Sequence, residues 1–289
     1  MGIELGIVFA FCAMIFWGVG EFVIQKNVKR EGCSESLLFI GFFALIALLP
    51  FVWKDIPALA YLPNLLLILF LGVITYIASM LNFQALKEGK LSVVEVIFET
   101  ELIVTLLLGI FIFQERLSGV QWLVVAFIFV GIILMAVKKH HLKNPRKFLE
   151  KGALIGFLGA LFMGGVNFFT ASSARQMSPV MAIWGPAVVF SILCLVGISR
   201  KEGFVKTKEN LFKFKWIILL MGLTDLAAWM FYAFATRLND VGIITAITES
   251  YPAVCLILGL WINKEKILLH QYIGASLALA CSFILGFLI

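Results

Sequence analysis

The chain has 289 residues, 62% of them hydrophobic and only 14% charged, with a mean hydropathy of +1.05. That balance excludes a water-soluble domain and identifies a polytopic membrane protein. The net charge of +6 therefore reports orientation in a bilayer before it reports any acidic partner.

Cutting the sequence where apolar runs meet polar clusters predicts ten spans, at 5–26, 34–53, 62–87, 91–114, 118–138, 152–176, 179–199, 214–238, 241–262 and 268–288. Met1 to Glu4 carries no basic residue and the first apolar run outlasts a signal h-region, so no cleavable leader is expected. Nineteen of the 23 basic residues fall in connections after odd-numbered spans, leaving Lys54, Arg116, Arg175 and Arg237 elsewhere. The positive-inside rule then places the basic loops in the cytoplasm and both termini outside. The five cysteines lie mostly within spans and suit small-hydrophobe packing better than a disulfide framework.

The first span, with its FWGVGEF run, is answered 146 residues later by FMGGVNF in the sixth, so that Gly6, Phe16, Gly18 and Phe22 fall on Gly152, Phe162, Gly164 and Phe168. From the third span the offset becomes 150, laying Gly72, Glu99, Gly109, Glu115 and Gln121 on Gly222, Glu249, Gly259, Glu265 and Gln271. A constant offset through so many matched residues marks an internal duplication. Each copy holds five spans, and an odd number inverts the second copy in the membrane. The predicted fold is an all-α membrane protein of ten transmembrane helices in two inverted five-helix repeats, 1–139 and 152–289, joined by a basic cytoplasmic linker, 140–151. Inverted repeats of this kind belong to transporters, which hold substrate near the midplane where the copies meet.

The spans carry six acids: Glu21, Glu95, Glu99, Glu101, Asp225 and Glu249. A charged, unpaired carboxylate at such depth costs at least about 2.5 kcal/mol, so these are candidate functional groups. Glu95 and Glu99 share a helix face at i, i+4, where one of two like charges is expected to bind a proton. Glu99 and Glu249 should flank the midplane from opposite faces and Asp225 should lie near it, whereas Glu101, about 200° round from Glu99, should face a different neighbour. Asn167 is the neutral repeat mate of Glu21. Asn82 can bond across helices or line a cavity. Trp17, Tyr76, Trp229 and Tyr251 share spans with these polar groups, and rings beside acids suit an organic cation. Lys26, Lys87, Arg175 and Arg237 sit near span ends, where long side chains snorkel to water. The fifth and tenth spans hold no interior acid and read as peripheral, facing lipid or a second copy of the chain. Pro252 should bend span nine.

The FWG motif (Phe16, Trp17, Gly18) and the paired endings Leu106, Gly109, Glu115, Gln121 and Leu256, Gly259, Glu265, Gln271 resemble the EamA type of the drug/metabolite transporter superfamily along the whole chain. The resemblance implies a prokaryotic plasma-membrane carrier moving small solutes without ATP through a central cavity. Span eight, GLTDLAAWMFYAFATRL, is also similar to the corresponding helix of choline-uptake members. Three acids in span four depart from the typical member and weigh against a neutral-amino-acid exporter.

The sequence thus predicts a secondary transporter of a metabolite, amino acid or organic cation, coupled to protons, with substrate- or proton-binding residues Glu99, Glu249, Asp225, Glu95, Glu21, Trp17, Tyr76, Asn82, Asn167, Trp229 and Tyr251. The competing reading is a cation channel or divalent-metal carrier, since clustered carboxylates also suit Mg²⁺. No phosphate-binding loop, catalytic triad or metal-ligand spacing appears, so neither an enzyme, a cofactor nor a resident metal is expected. The expected partners are the solute, protons, the lipid bilayer and a second copy of the chain as a homodimer, with no nucleic acid.

Overall fold

The computed structural model describes residues 4–88, 97–136, 151–199, 204–262 and 268–288. Glu95 and all of the basic linker but Lys151 lie outside them. The first half contributes helices α1 (Leu5–Glu31), α2 (Cys33–Val52), α3 (Leu62–Glu88), α4 (Thr100–Ile112) and α5 (Gly119–Ala136). The second contributes α6 (Lys151–Gln176), α7 (Pro179–Ser199), α8 (Phe204–Lys213), α9 (Lys215–Leu238), α10 (Val241–Thr248), α11 (Tyr251–Ile262) and α12 (Leu269–Phe287). Among the described residues, seven stretches are long and apolar enough to cross a bilayer, one running from Val241 to Leu258 through α10 and α11. Leu5–Glu21, Thr100–Ile112 and Gly119–Leu134 are shorter apolar helices. Together they occupy the positions of the ten predicted spans.

Two elements differ from expectation. The connection between spans seven and eight contains a helix, α8, because FVKTKENLFK places apolar residues at both ends of a two-turn spacing with lysines between. Span nine is broken at Glu249–Ser250 instead of bent. Pro252 has no N–H to give the Thr248 carbonyl, so α10 stops there and α11 starts afresh with proline in its first turn. Ser250 ties the break to α12 through a 2.7 Å hydroxyl contact with Ser282. The matching turn in the first half lies at Glu99, immediately before α4.

The duplication is visible in the packing. α1 runs along α9 as α3 runs along α6, α2 meets α9 as α7 meets α3, and α5 meets α12. A Cβ on Gly18 would lie 2.5 Å from Val254 Cβ, and one on its mate Gly164 would lie 2.6 Å from Val104 Cβ. The glycines therefore let α1 and α6 approach the two broken spans closely. At the same crossings Cys255 donates to the Gly18 carbonyl at 3.1 Å, and Thr105, its repeat mate, donates to the Gly164 carbonyl at 3.0 Å.

The outer surface of the bundle is apolar, with side chains such as Ile46 and Phe111 more than two-thirds exposed. In water this would be an aggregation surface; in hydrocarbon it is the favourable one. Trp53, Tyr61, Trp216 and Trp261 are exposed near helix ends, the level at which aromatic rings anchor a protein to the lipid headgroups.

Candidate functional site: a central cavity rich in carboxyl groups

A cavity of about 130 Å³ lies between the two halves. Glu21 and Trp17 of α1, Asn82 of α3, Glu101 of α4, Asn167 of α6, Asp225 and Trp229 of α9, Glu249 at the break and Tyr251 at the start of α11 all line it. The structure thus brings eight of the predicted residues together: Trp17, Glu21, Asn82, Asn167, Asp225, Trp229, Glu249 and Tyr251. No lysine, arginine or histidine is among the described lining residues.

Two predicted residues lie elsewhere. Glu99 is buried at the turn before α4 without lining the cavity, and Glu101 is the acid of that span that does. The two acids face different surroundings, and the one turned to the cavity is Glu101. Glu99 remains near enough to act electrostatically on Glu101 and Tyr251. Tyr76 packs instead against the apolar cluster that contains Phe83, Phe190 and Cys194. Its repeat mate is Leu226, an apolar position in the other half.

Polar contacts inside the cavity are few. Glu101 and Glu249, from opposite halves, lie near enough to act on each other electrostatically. Two ionised carboxylates side by side repel, and a proton on one of them relieves the repulsion. Asp225 and Trp229 stand one turn apart on α9 and both line the cavity. Beside it stands an aromatic corner. The Trp17 and Trp229 rings meet edge to face at 5.1 Å, and Tyr232 packs 5.4 Å from Trp17 with its hydroxyl 2.9 Å from Thr245 Oγ1. Asn82 Oδ1, Asn167 Nδ2 and Glu249 Oε2 are buried with no hydrogen-bond partner among the described residues. Such groups cost about 1–3 kcal/mol each when left unmet.

The ending of the fourth span has a physical explanation; Glu265, the matching acid of the ninth, lies outside the described residues. A Cβ on Gly109 would lie 2.7 Å from Glu115 Oε2, so glycine there makes room for the glutamate six residues on. The chain leaves α4 through Gln114 at φ 58° and turns Glu115 inward, where it is buried. Gln121 accepts from Ser118 N–H at 2.8 Å while Ser118 Oγ accepts from Gln121 N–H at 3.3 Å, a capping box at the start of α5. Gln271 accepts from Leu268 N–H at 2.9 Å at the matching place before α12. Arg175, expected to snorkel to water, instead pairs with Glu115 at 3.2 Å.

The sequence pattern of the EamA-like transporter family matches residues 4–137 and again 150–287. The chain belongs to this family. Its two matched segments occupy the two structural halves, and the family's transporters, with their two-repeat helical membrane fold, agree with the architecture described above. A protein of Clostridium kluyveri named an uncharacterized transporter is 24% identical over 93% of this chain and 89% of its own length. An uncharacterized protein of Methanocaldococcus jannaschii is 27% identical over 46% of this chain and 98% of its own length. A protein of known crystal structure shares the fold at 12% identity, with a TM-score of 0.77 over 98% of this chain and 96% of its own. The chain is thus a multi-pass membrane transporter of the EamA-like family.

Proposed function

We propose that this EamA-like protein is a secondary active transporter that exchanges a small organic cation for protons by alternating access around the central cavity. One observation carries the reading. Glu21, Glu101, Asp225 and Glu249 converge from both halves on one space, beside an aromatic corner and with no described basic residue to neutralise them. A cation is what such a space attracts, through charge and through the negative faces of the indole rings. Glu101 and Glu249, two acids from opposite halves whose charges would repel, are the natural proton carriers: arrival of a cation favours releasing a proton, and its return favours releasing the cation. Among the described residues no three His, Cys, Asp or Glu side chains are close enough to hold a metal ion. The arrangement therefore favours an organic cation over a divalent metal. The charge bias of the connections puts the basic face in the cytoplasm and both termini on the other side.

The test is uptake of radiolabelled choline, as a quaternary-ammonium probe, into proteoliposomes holding an imposed pH gradient. The reading predicts saturable accumulation that collapses when the gradient is dissipated and is absent in Glu249→Gln. Uptake that is unaffected by the gradient and unchanged in Glu249→Gln would reject it.

A further inference from the structure

Glu115 and Arg175 lie at the end of the bundle away from the basic connections, outside the cavity and outside the proposed chemistry. Glu115 belongs to the first half, in the turn after α4; Arg175 belongs to the second, in the last turn of α6. The Glu115 carboxylate accepts from the N–H groups of Val241 at 2.8 Å and Gly242 at 3.1 Å, the first two residues of α10. Arg175 donates to the carbonyls of Thr236 and Asn239, both at 2.8 Å, where α9 ends, and its guanidinium lies 4.4 Å from the centre of the Phe113 ring. The acid thus sits on the positive end of one helix and the base on the negative end of the preceding one. Between the two helices is only the turn Asn239–Asp240. The neighbouring Asp240 is held above the ordinary aspartate range by burial and by Glu115, against a pull downwards from Arg175.

We infer that Glu115 and Arg175 form a latch between the halves that holds this face of the bundle closed and positions α10, the short rod leading directly into Glu249. Eight residues of helix span about 12 Å, so displacement of α10 at its latched end is transmitted to the carboxylate in the cavity. Opening this face requires the first half to part from the α9–α10 turn, and Glu115 and Arg175 lie on opposite sides of that parting. Charged groups suit such a closure better than apolar ones, because water solvates both partners once they separate. Glu4, at 2.8 Å from Asn239 Nδ2, and the Asp55–Ser178 hydrogen bond add ties across the same face. The repeated glycine–glutamate spacing thereby acquires a role in motion as well as in packing. Glu115 and Arg175 are positioning residues. The proposed exchange supplies their consequence for transport, but their test needs no solute.

The test is maleimide labelling of the purified full-length chain in detergent, read by mass spectrometry at a cysteine introduced by Thr236→Cys, a position fully buried behind the latch. The parent should label slowly, and Glu115→Gln should raise the rate at that site at least about tenfold, the scale of losing charge-assisted hydrogen bonds. Gly109→Ala should act in the same direction without changing any charge, since its Cβ displaces the Glu115 carboxylate. The swap Glu115→Arg with Arg175→Glu should stay fast, because it puts a cation on the N-terminus of α10. Labelling at the parent rate in either single variant, or a return to that rate in the swap, would overturn the latch. Because no solute enters the assay, a failure to transport choline would not alter these expectations.

Discussion

The two halves of this protein are alike where they pack and unlike where they face the cavity. Gly18 and Gly164 perform one task in two copies, as do Thr105 and Cys255, each donating to the carbonyl of the glycine it crosses. The lining diverges at matched places: Glu21 faces the cavity where the other copy has Asn167, Asp225 where the other has Thr75, and Glu101 where the other has Tyr251. Trp229 stands opposite Ser79 in the same way. Of the duplicated acids Glu99 and Glu249, only the second reaches the lining. Duplication supplied a symmetric frame whose interface cannot change without cost. The cavity is free to be polarised: Glu21, Asp225 and Glu101 have the neutral mates Asn167, Thr75 and Tyr251, and Glu99, the mate of Glu249, stands outside the lining.

The largest effect should come from removing the cross-half acid pair. Glu101→Gln is expected to reduce gradient-driven choline accumulation about tenfold to a hundredfold, the scale of about 1.5–3 kcal/mol for removing a polar partner from a charged group. Accumulation at the parental level would mean that Glu101 is not needed as a proton carrier.

A smaller effect separates matched positions. Asp225→Asn should weaken choline binding about tenfold, measured by equilibrium binding, whereas Thr75→Val at the mate position should change it less than about threefold. Equal losses would show that the two copies contribute alike. Trp229→Leu should then cost about 0.5–2 kcal/mol of choline affinity through the lost ring face, with Ser79→Ala near neutral in the same assay.

The smallest effect tests what the halves share. Thr105→Val and Cys255→Ala should each lower thermal stability modestly, by about 0.5–1.5 kcal/mol for a lost hydrogen bond, with the thiol at the lower end. Loss of stability in only one of the two would break the symmetry of the packing.

Much of this architecture was legible in the sequence, because a duplication leaves constant offsets and buried acids stand out in apolar runs. Asn167 could be placed on the cavity simply as the mate of Glu21. Choosing between Glu99 and Glu101 could not be done on a helical wheel, since the wheel puts the two acids on different faces without saying which face meets the other half. Pro252 gave warning of a disturbance in span nine but not that the helix would stop and restart. The Glu115–Arg175 pair escaped for a different reason. Glu115 lies just beyond the end of α4, outside the spans searched for acids, and its partner is 60 residues away in the other half. Only the repeated glycine–glutamate spacing signalled it, and that spacing did not name the partner.

The most direct measurement of the central account is proton movement evoked by solute. Choline added to lightly buffered proteoliposomes with no imposed gradient should drive protons out of the lumen, raising internal pH in proportion to choline entry, and Glu249→Gln should abolish that rise. Choline entry at full rate with internal pH unchanged, or the same rise in Glu249→Gln, would contradict it.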